Sequence, residues 1–131
     1  MPTLRLNKIH HIAIICSNYD VSKKFYTEIL DLEILKETFR EERQSYKLDL
    51  KLNDIYQVEL FSFPSPAARP SRPEACGLRH LAFEVDDLDA AVRTLNARSV
   101  VTEAIRIDEI TGKRFTFFAD PDGLPLELYE K

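Results

Sequence analysis

Apolar and polar positions alternate in short runs along the chain, and the alternation occurs twice. Ile12 and Ile14 fall on one side of the first run, with His11, Ala13 and Ile15 on the other. In the second half, Leu81, Phe83 and Val85 oppose His80, Ala82 and Glu84. Period-two runs of this kind predict half-buried strands. After each run the period lengthens: Val21, Phe25 and Ile29 recur at every fourth position with Tyr26 and Leu30 beside them, and Leu88, Ala91, Val92 and Leu95 form the equivalent stripe. Both stripes predict helices. The Asn and Asp residues within Ser17-Asn18-Tyr19-Asp20 and Asp86-Asp87-Leu88-Asp89 suit helix starts, where their side chains accept bonds from first-turn amides.

Three further β-like stretches follow each helix, at about 33–40, 44–52 and 55–63 and again at about 101–107, 113–119 and 124–130. Asn53-Asp54 and Asp120-Pro121-Asp122-Gly123 supply turn chemistry ahead of the last stretch of each half. The chain therefore reads as an α+β protein of two tandem βαβββ modules within one domain spanning 1–131. Module 1 covers about 6–63 and module 2 about 77–131. The segment at about 64–76 opens with Pro64-Ser65-Pro66 and continues through Arg69-Pro70-Ser71-Arg72-Pro73. It is too proline-rich for a helix interior or central strand, and is read as the linker.

With 131 residues and 44% apolar content the chain can bury a real core. A net charge of −4 and the lack of a basic stripe argue against nucleic acid as a partner. No apolar run approaches the roughly 18 residues of a membrane-spanning helix, and MPTLRLNKIHH lacks a signal-peptide core. A cytoplasmic protein with a small-molecule substrate and no membrane partner is expected. Cys16 and Cys76 have no zinc-type spacing, and Cys16 has the parity of a core thiol.

The chemistry lies in two matched pairs. His11 is followed by Glu59, and His80 by Glu127, at nearly equal separations. Val58 and Leu60 oppose Glu59 by parity, and Leu126 and Leu128 oppose Glu127. All four polar residues thus lie opposite the faces that pack on the helices. Two imidazoles and two carboxylates neutralise a divalent ion and suit Ni, Zn, Mn, Co or Fe. One such ion is the expected cofactor.

The passages HHIAIICSNYDVSKKFYTEIL, VELFSF, GLRHLAFEVDDLDAAV and FFADPDGLPLELYE resemble the vicinal oxygen chelate superfamily, which includes glyoxalase I. PSRPEACGLRHLAF further resembles a bacterial glyoxalase-like subgroup related to YaeR. The resemblance implies paired modules forming a cupped mixed β-sheet around one metal, with His11, Glu59, His80 and Glu127 as its ligands. His10, of opposite parity, is not the matching histidine. A fourth ligand at Glu59 resembles glyoxalase I and epimerase-like members rather than extradiol dioxygenases, which use two histidines and one glutamate around iron. The resemblance thus implies a divalent-metal-dependent lyase or isomerase acting by proton transfer next to a metal-bound carbonyl or enediolate oxygen. It also implies Glu127 as the first candidate base, Glu59 as the second, and a homodimer. The alternatives are a metal-containing binding or resistance protein without turnover and an iron-dependent extradiol-type dioxygenase.

Two positions depart from bacterial glyoxalase I: the glutathione-binding arginine is replaced by Ile15, and an asparagine by Phe63. Metal and chemistry are thus matched better than a glutathione substrate. Phe61 and Phe63 share the parity of Glu59 and are candidates to line the cup. Arg69, Arg72 and Arg79 cluster near the module boundary, and Arg40, Arg43, Lys113 and Arg114 flank strands. Most belong to a solvated rim. Arg72 and Arg114 are the candidates to hold an anionic substrate group.

Overall fold

The computed structural model describes residues 2–131. They divide into two compact units, with the boundary between Ala67 and Ala68. The first unit comprises β1 (Ile12–Cys16), α1 (Tyr19–Lys24), β2 (Glu33–Arg40), β3 (Ser45–Leu52) and β4 (Tyr56–Ser62). The second comprises β5 (Leu81–Val85), α2 (Leu88–Ala97), β6 (Arg106–Ile107), β7 (Arg114–Ala119) and β8 (Pro125–Glu130). The sheets run β1-β4-β3-β2 and β5-β8-β7-β6. In each, the first strand lies parallel to the last and the remaining pairings are antiparallel. A parallel neighbour needs a long crossover, and the helix-containing excursion supplies it. The chain is therefore α+β and built from two βαβββ modules, as its periodicity predicts.

Both helices start where a side chain satisfies a first-turn amide. Asn18 Oδ1 accepts from the Val21 N–H at 3.2 Å, and Asp87 Oδ1 from the Ala90 N–H at 3.0 Å. Past Lys24 the first helix widens into a π turn over Phe25–Ile29, where the Leu30 N–H bonds the Phe25 carbonyl at 3.0 Å. Asp31 adopts φ 58°, and the Leu32 N–H closes on the Tyr26 carbonyl at 3.0 Å. The buried stripe is Ser22, Phe25 and Tyr26, whereas Val21 is 48% exposed. The prediction that Val21 leads this stripe is corrected. Once the Ser22, Phe25 and Tyr26 face turns inward, a residue one step earlier lies about 100° around the helix.

Each unit has its own apolar centre. In the first, Ile14 and Cys16 of β1, Leu48 and Leu50 of β3 and Leu60 of β4 are buried. In the second, Leu88 and Leu95 of α2 are buried together with Phe118, Leu126 and Leu128 of the sheet. Each fully buried leucine contributes about 1.5–3 kcal/mol, and these residues fix the parity of their strands.

The stretch 101–107 does not form the strand predicted from its β-branched residues: only Arg106–Ile107 pair. Ahead of them the backbone is attached at Glu103, whose N–H bonds the Phe117 carbonyl at 3.0 Å. The Thr116 hydroxyl donates to the Glu103 carbonyl at 2.8 Å, filling an acceptor that a ladder partner would otherwise use. Val101 is 86% exposed, so no packing fixes a pleated surface there. No helix among the described residues is long and apolar enough to cross a membrane.

Candidate metal centre

The two parallel ladders place the predicted residues in matching registers. Ala13 pairs with Glu59 and Ala82 with Glu127. Each histidine stands two residues ahead of that alanine and so shares its face. The unequal His-to-Glu separations in the chain therefore arise in the connections, while the registers are the same. In the first unit His11 Nδ1 lies 3.3 Å from Glu59 Oε2, and in the second His80 Nε2 lies 3.7 Å from Glu127 Oε1. His10 lies beside the first pair, its Nδ1 2.9 Å from His11 Nδ1.

The carboxylates have different surroundings. Glu59 is 6% exposed, and its cross-strand neighbour is Asp49, itself buried. The Lys47 ammonium sits 3.5 Å from Glu59 Oε1 and 3.4 Å from Asp49 Oδ1. One lysine thus serves two buried carboxylates, and Asp49 Oδ1 has no hydrogen-bond partner among the described residues. Across from Glu127 stands Phe117, and His80 packs edge-on against its ring at a centroid distance of 5.0 Å. Burial pushes the Glu127 carboxyl above the ordinary range, while its electrostatic interaction with His80 and Arg106 pulls it back.

Two ligands of one ion held at about 2.0–2.2 Å stand roughly 3–3.5 Å apart in tetrahedral or octahedral geometry. The His11–Glu59 spacing falls in that range and the His80–Glu127 spacing just beyond it. Donor type, spacing and the surplus of buried negative charge at Asp49 and Glu59 all suit a cation. Among the described residues, no three His, Cys, Asp or Glu side chains converge. Each unit brings together two of the four predicted ligands.

The other predicted residues have diverse settings. Phe61 and Phe63 stack at 6.2 Å, and the Arg40 guanidinium lies over them at 4.8 and 5.6 Å. Arg114 is held by Asp89 at 3.0 Å and Glu130 at 3.3 Å. Arg72 lines a cavity of about 370 Å³ in the second unit, with His80 in its wall. Lys47, Asp49 and Arg106 escape the sequence reading. A signal for Asp49 existed: with the Asn53-Asp54 turn fixed, counting back along β3 sets it opposite Glu59.

Tandem βαβββ units, each with a glutamate on its last strand and a histidine immediately ahead of the parallel first strand, define a narrow structural class. The chain belongs to the Glyoxalase/Bleomycin resistance protein/Dioxygenase superfamily, whose family model matches residues 8–128. It is 63% identical to YwkD of Bacillus subtilis (strain 168) over 96% of this chain and 98% of that one. With YaeR of Escherichia coli (strain K12) it shares 62% identity over 98% and 99% of the two chains. A glyoxalase family protein from Enterococcus faecalis superposes with a TM-score of 0.90 at 51% identity, covering 95% of this chain and 98% of that one. A 2-epi-5-epi-valiolone epimerase from Actinomyces sp is 31% identical over 92% of this chain and 77% of its own length. The fosfomycin resistance protein FosX from Listeria monocytogenes, complexed with Mn(II) and sulfate, shares the fold at TM-score 0.73 and 16% identity over 97% and 94% of the chains.

Proposed function

We propose that the protein is a divalent-metal-dependent lyase or isomerase that moves a proton next to a carbonyl of a small substrate. The observation that supports this reading is the matched register of the two His–Glu pairs, one pair in each unit. We take His11, Glu59, His80 and Glu127 to hold one ion between them, within one chain or across a homodimer. When bound, a Ni, Zn, Mn, Co or Fe ion supplies Lewis-acid polarisation of the substrate oxygen. The manganese complex of FosX and the epimerase among the relatives are in keeping with a metal and with inversion at carbon.

The two glutamates then differ in what they are free to do. Glu59 faces both His11 and the Lys47 ammonium, which hold its carboxylate in place. Glu127 faces His80 and has no lysine; the position matching Lys47 in its sheet is Phe115. We therefore assign Glu127 as the base that takes and returns the proton, with Glu59 anchoring the metal. Phe61 and Phe63 supply apolar contact to the substrate, and Arg72, in the cavity wall beside His80, meets its charged end.

The test uses protein purified without chelator and incubated in deuterated water with α-hydroxycarbonyl and 2-oxoaldehyde candidates, methylglyoxal–glutathione first. Deuterium enters the carbon next to the carbonyl with wild type, with or without oxygen, and fails to enter with Glu127→Gln. Turnover that requires oxygen, or an active Glu127→Gln variant, contradicts the reading.

A further inference from the structure

The cavity beside His80 carries a charge at odds with the chain. Within a protein of net charge −4, its lining brings four arginines together with two glutamates. The four arginines are held in three ways. Arg69 is part of the frame: it donates to the carbonyls of Leu78 and Arg79 at 2.7 and 2.9 Å and to Ser71 Oγ at 2.9 Å. This ties the first part of the proline-rich segment to the approach to β5. Arg106 is aimed: Glu103 holds it at 2.6 Å, and its guanidinium lies over Phe115 and Phe117 at 5.1 and 5.3 Å. Phe117 in turn carries the His80 ring.

Arg72 and Arg79 are loosely held. They share Glu74, at 3.9 and 3.8 Å, distances too long for charge-assisted hydrogen bonds. A single carboxylate poised between two guanidiniums without bonding either occupies the place where an incoming oxyanion would bond both.

We propose that this cavity is an oxyanion subsite, in which a carboxylate or phosphoryl group of the substrate binds Arg72, Arg79 and Arg106 and displaces Glu74. Guanidinium forks match such planar or tetrahedral oxyanions in bidentate fashion. The volume of about 370 Å³ lies at the small end of ligand pockets and suits a short carbon skeleton. That the oxyanion belongs to the reacting substrate rests on the function proposed above, since His80 is common to both. Arg106 joins the two places through Phe117.

Calorimetry on the full-length, chelator-treated protein tests the subsite apart from any metal, with inorganic phosphate and acetate as separate probes. The probe that binds more tightly identifies phosphoryl or carboxylate as the preferred group. Arg106→Ala and Arg72→Ala each weaken binding by about tenfold, the loss of one hydrogen bond to a charged partner. Glu74→Gln tightens it, because the resident competitor is gone. Arg93→Ala, at an exposed position of α2, leaves it unchanged. His11→Ala, in the other unit, also leaves it unchanged, even where that variant loses its metal and turnover. Absence of saturable binding by both anions, or binding indifferent to Arg106→Ala and Glu74→Gln in variants that melt like wild type, overturns the subsite.

Discussion

Lys47 reaches Glu59 at 3.5 Å, and no cationic residue occupies the matching position near Glu127, where the sequence has Phe115. The ammonium also sits 3.4 Å from Asp49, so it separates two buried carboxylates that face each other across the β3–β4 ladder. Replacing Lys47 by Met removes the ammonium that stands between Asp49 and Glu59 and leaves Asp49 without an ion-pair partner. The metal-free variant is expected to lose about 1–3 kcal/mol, the cost of stranding a buried charged group. A divalent ion then restores more stability to the variant than it adds to wild type. Urea denaturation with and without Zn(II) or Mn(II) measures both differences.

The Asp120-Pro121-Asp122-Gly123 turn holds β8, and with it Glu127, in register. Asp120 Oδ1 accepts from the backbone N–H groups of Asp122 and Leu124, both at 2.9 Å, and Gly123 sits at φ +82°. A Cβ placed on Gly123 meets nothing within 4 Å, so the cost of a side chain there lies wholly in the backbone angle. Gly123→Ala is expected to destabilise by about 1–2 kcal/mol with no loss of packing. Chemical denaturation should show this as a lower midpoint with an unchanged slope.

The link between α1 and β2 is sensitive to acid. Glu37 accepts hydrogen bonds from Lys23 Nζ at 2.7 Å and from the Tyr19 hydroxyl. The Lys23 bond first, and the Tyr19 bond second, hold its carboxyl below the usual range. A folded pKa below the unfolded one, which is about 4.3, gives a contribution that is complete above that pH and is lost as pH falls through the lower folded value. Glu37→Gln should therefore be less stable than wild type near neutral pH by no more than about 1 kcal/mol, as befits a half-exposed pair. The difference should close as pH drops below 4. Denaturation midpoints across that range check the sign.

The parts of the fold visible in the sequence are those in which one interaction dominates. Ile12 and Ile14 alternating with His11 and Ala13 reveal β1 because burial on one face imposes a period of two. Asn18 and Asp87 mark helix starts because their side chains cap amides locally. What depends on neighbours distant in sequence was less visible. The Val101–Ile105 stretch has the composition of a strand, yet its backbone meets the sheet only through the Glu103 N–H, and a Thr116 hydroxyl takes the Glu103 carbonyl in place of a ladder partner. Parity set each histidine and glutamate on the face away from the helices. It did not reveal Lys47 between Asp49 and Glu59, which takes the β3–β4 register to see. Arg106 was hidden for the same reason, because its aromatic partners lie on another strand.

The most direct measurement is the number of divalent ions bound per chain, by elemental analysis and calorimetric titration of wild type, His11→Ala and His80→Ala. If the two pairs are halves of one centre, wild type binds one ion per chain and either substitution alone abolishes tight binding. Two ions per chain, each removed by only one of the substitutions, would contradict a shared centre, as would retention of tight binding in either variant.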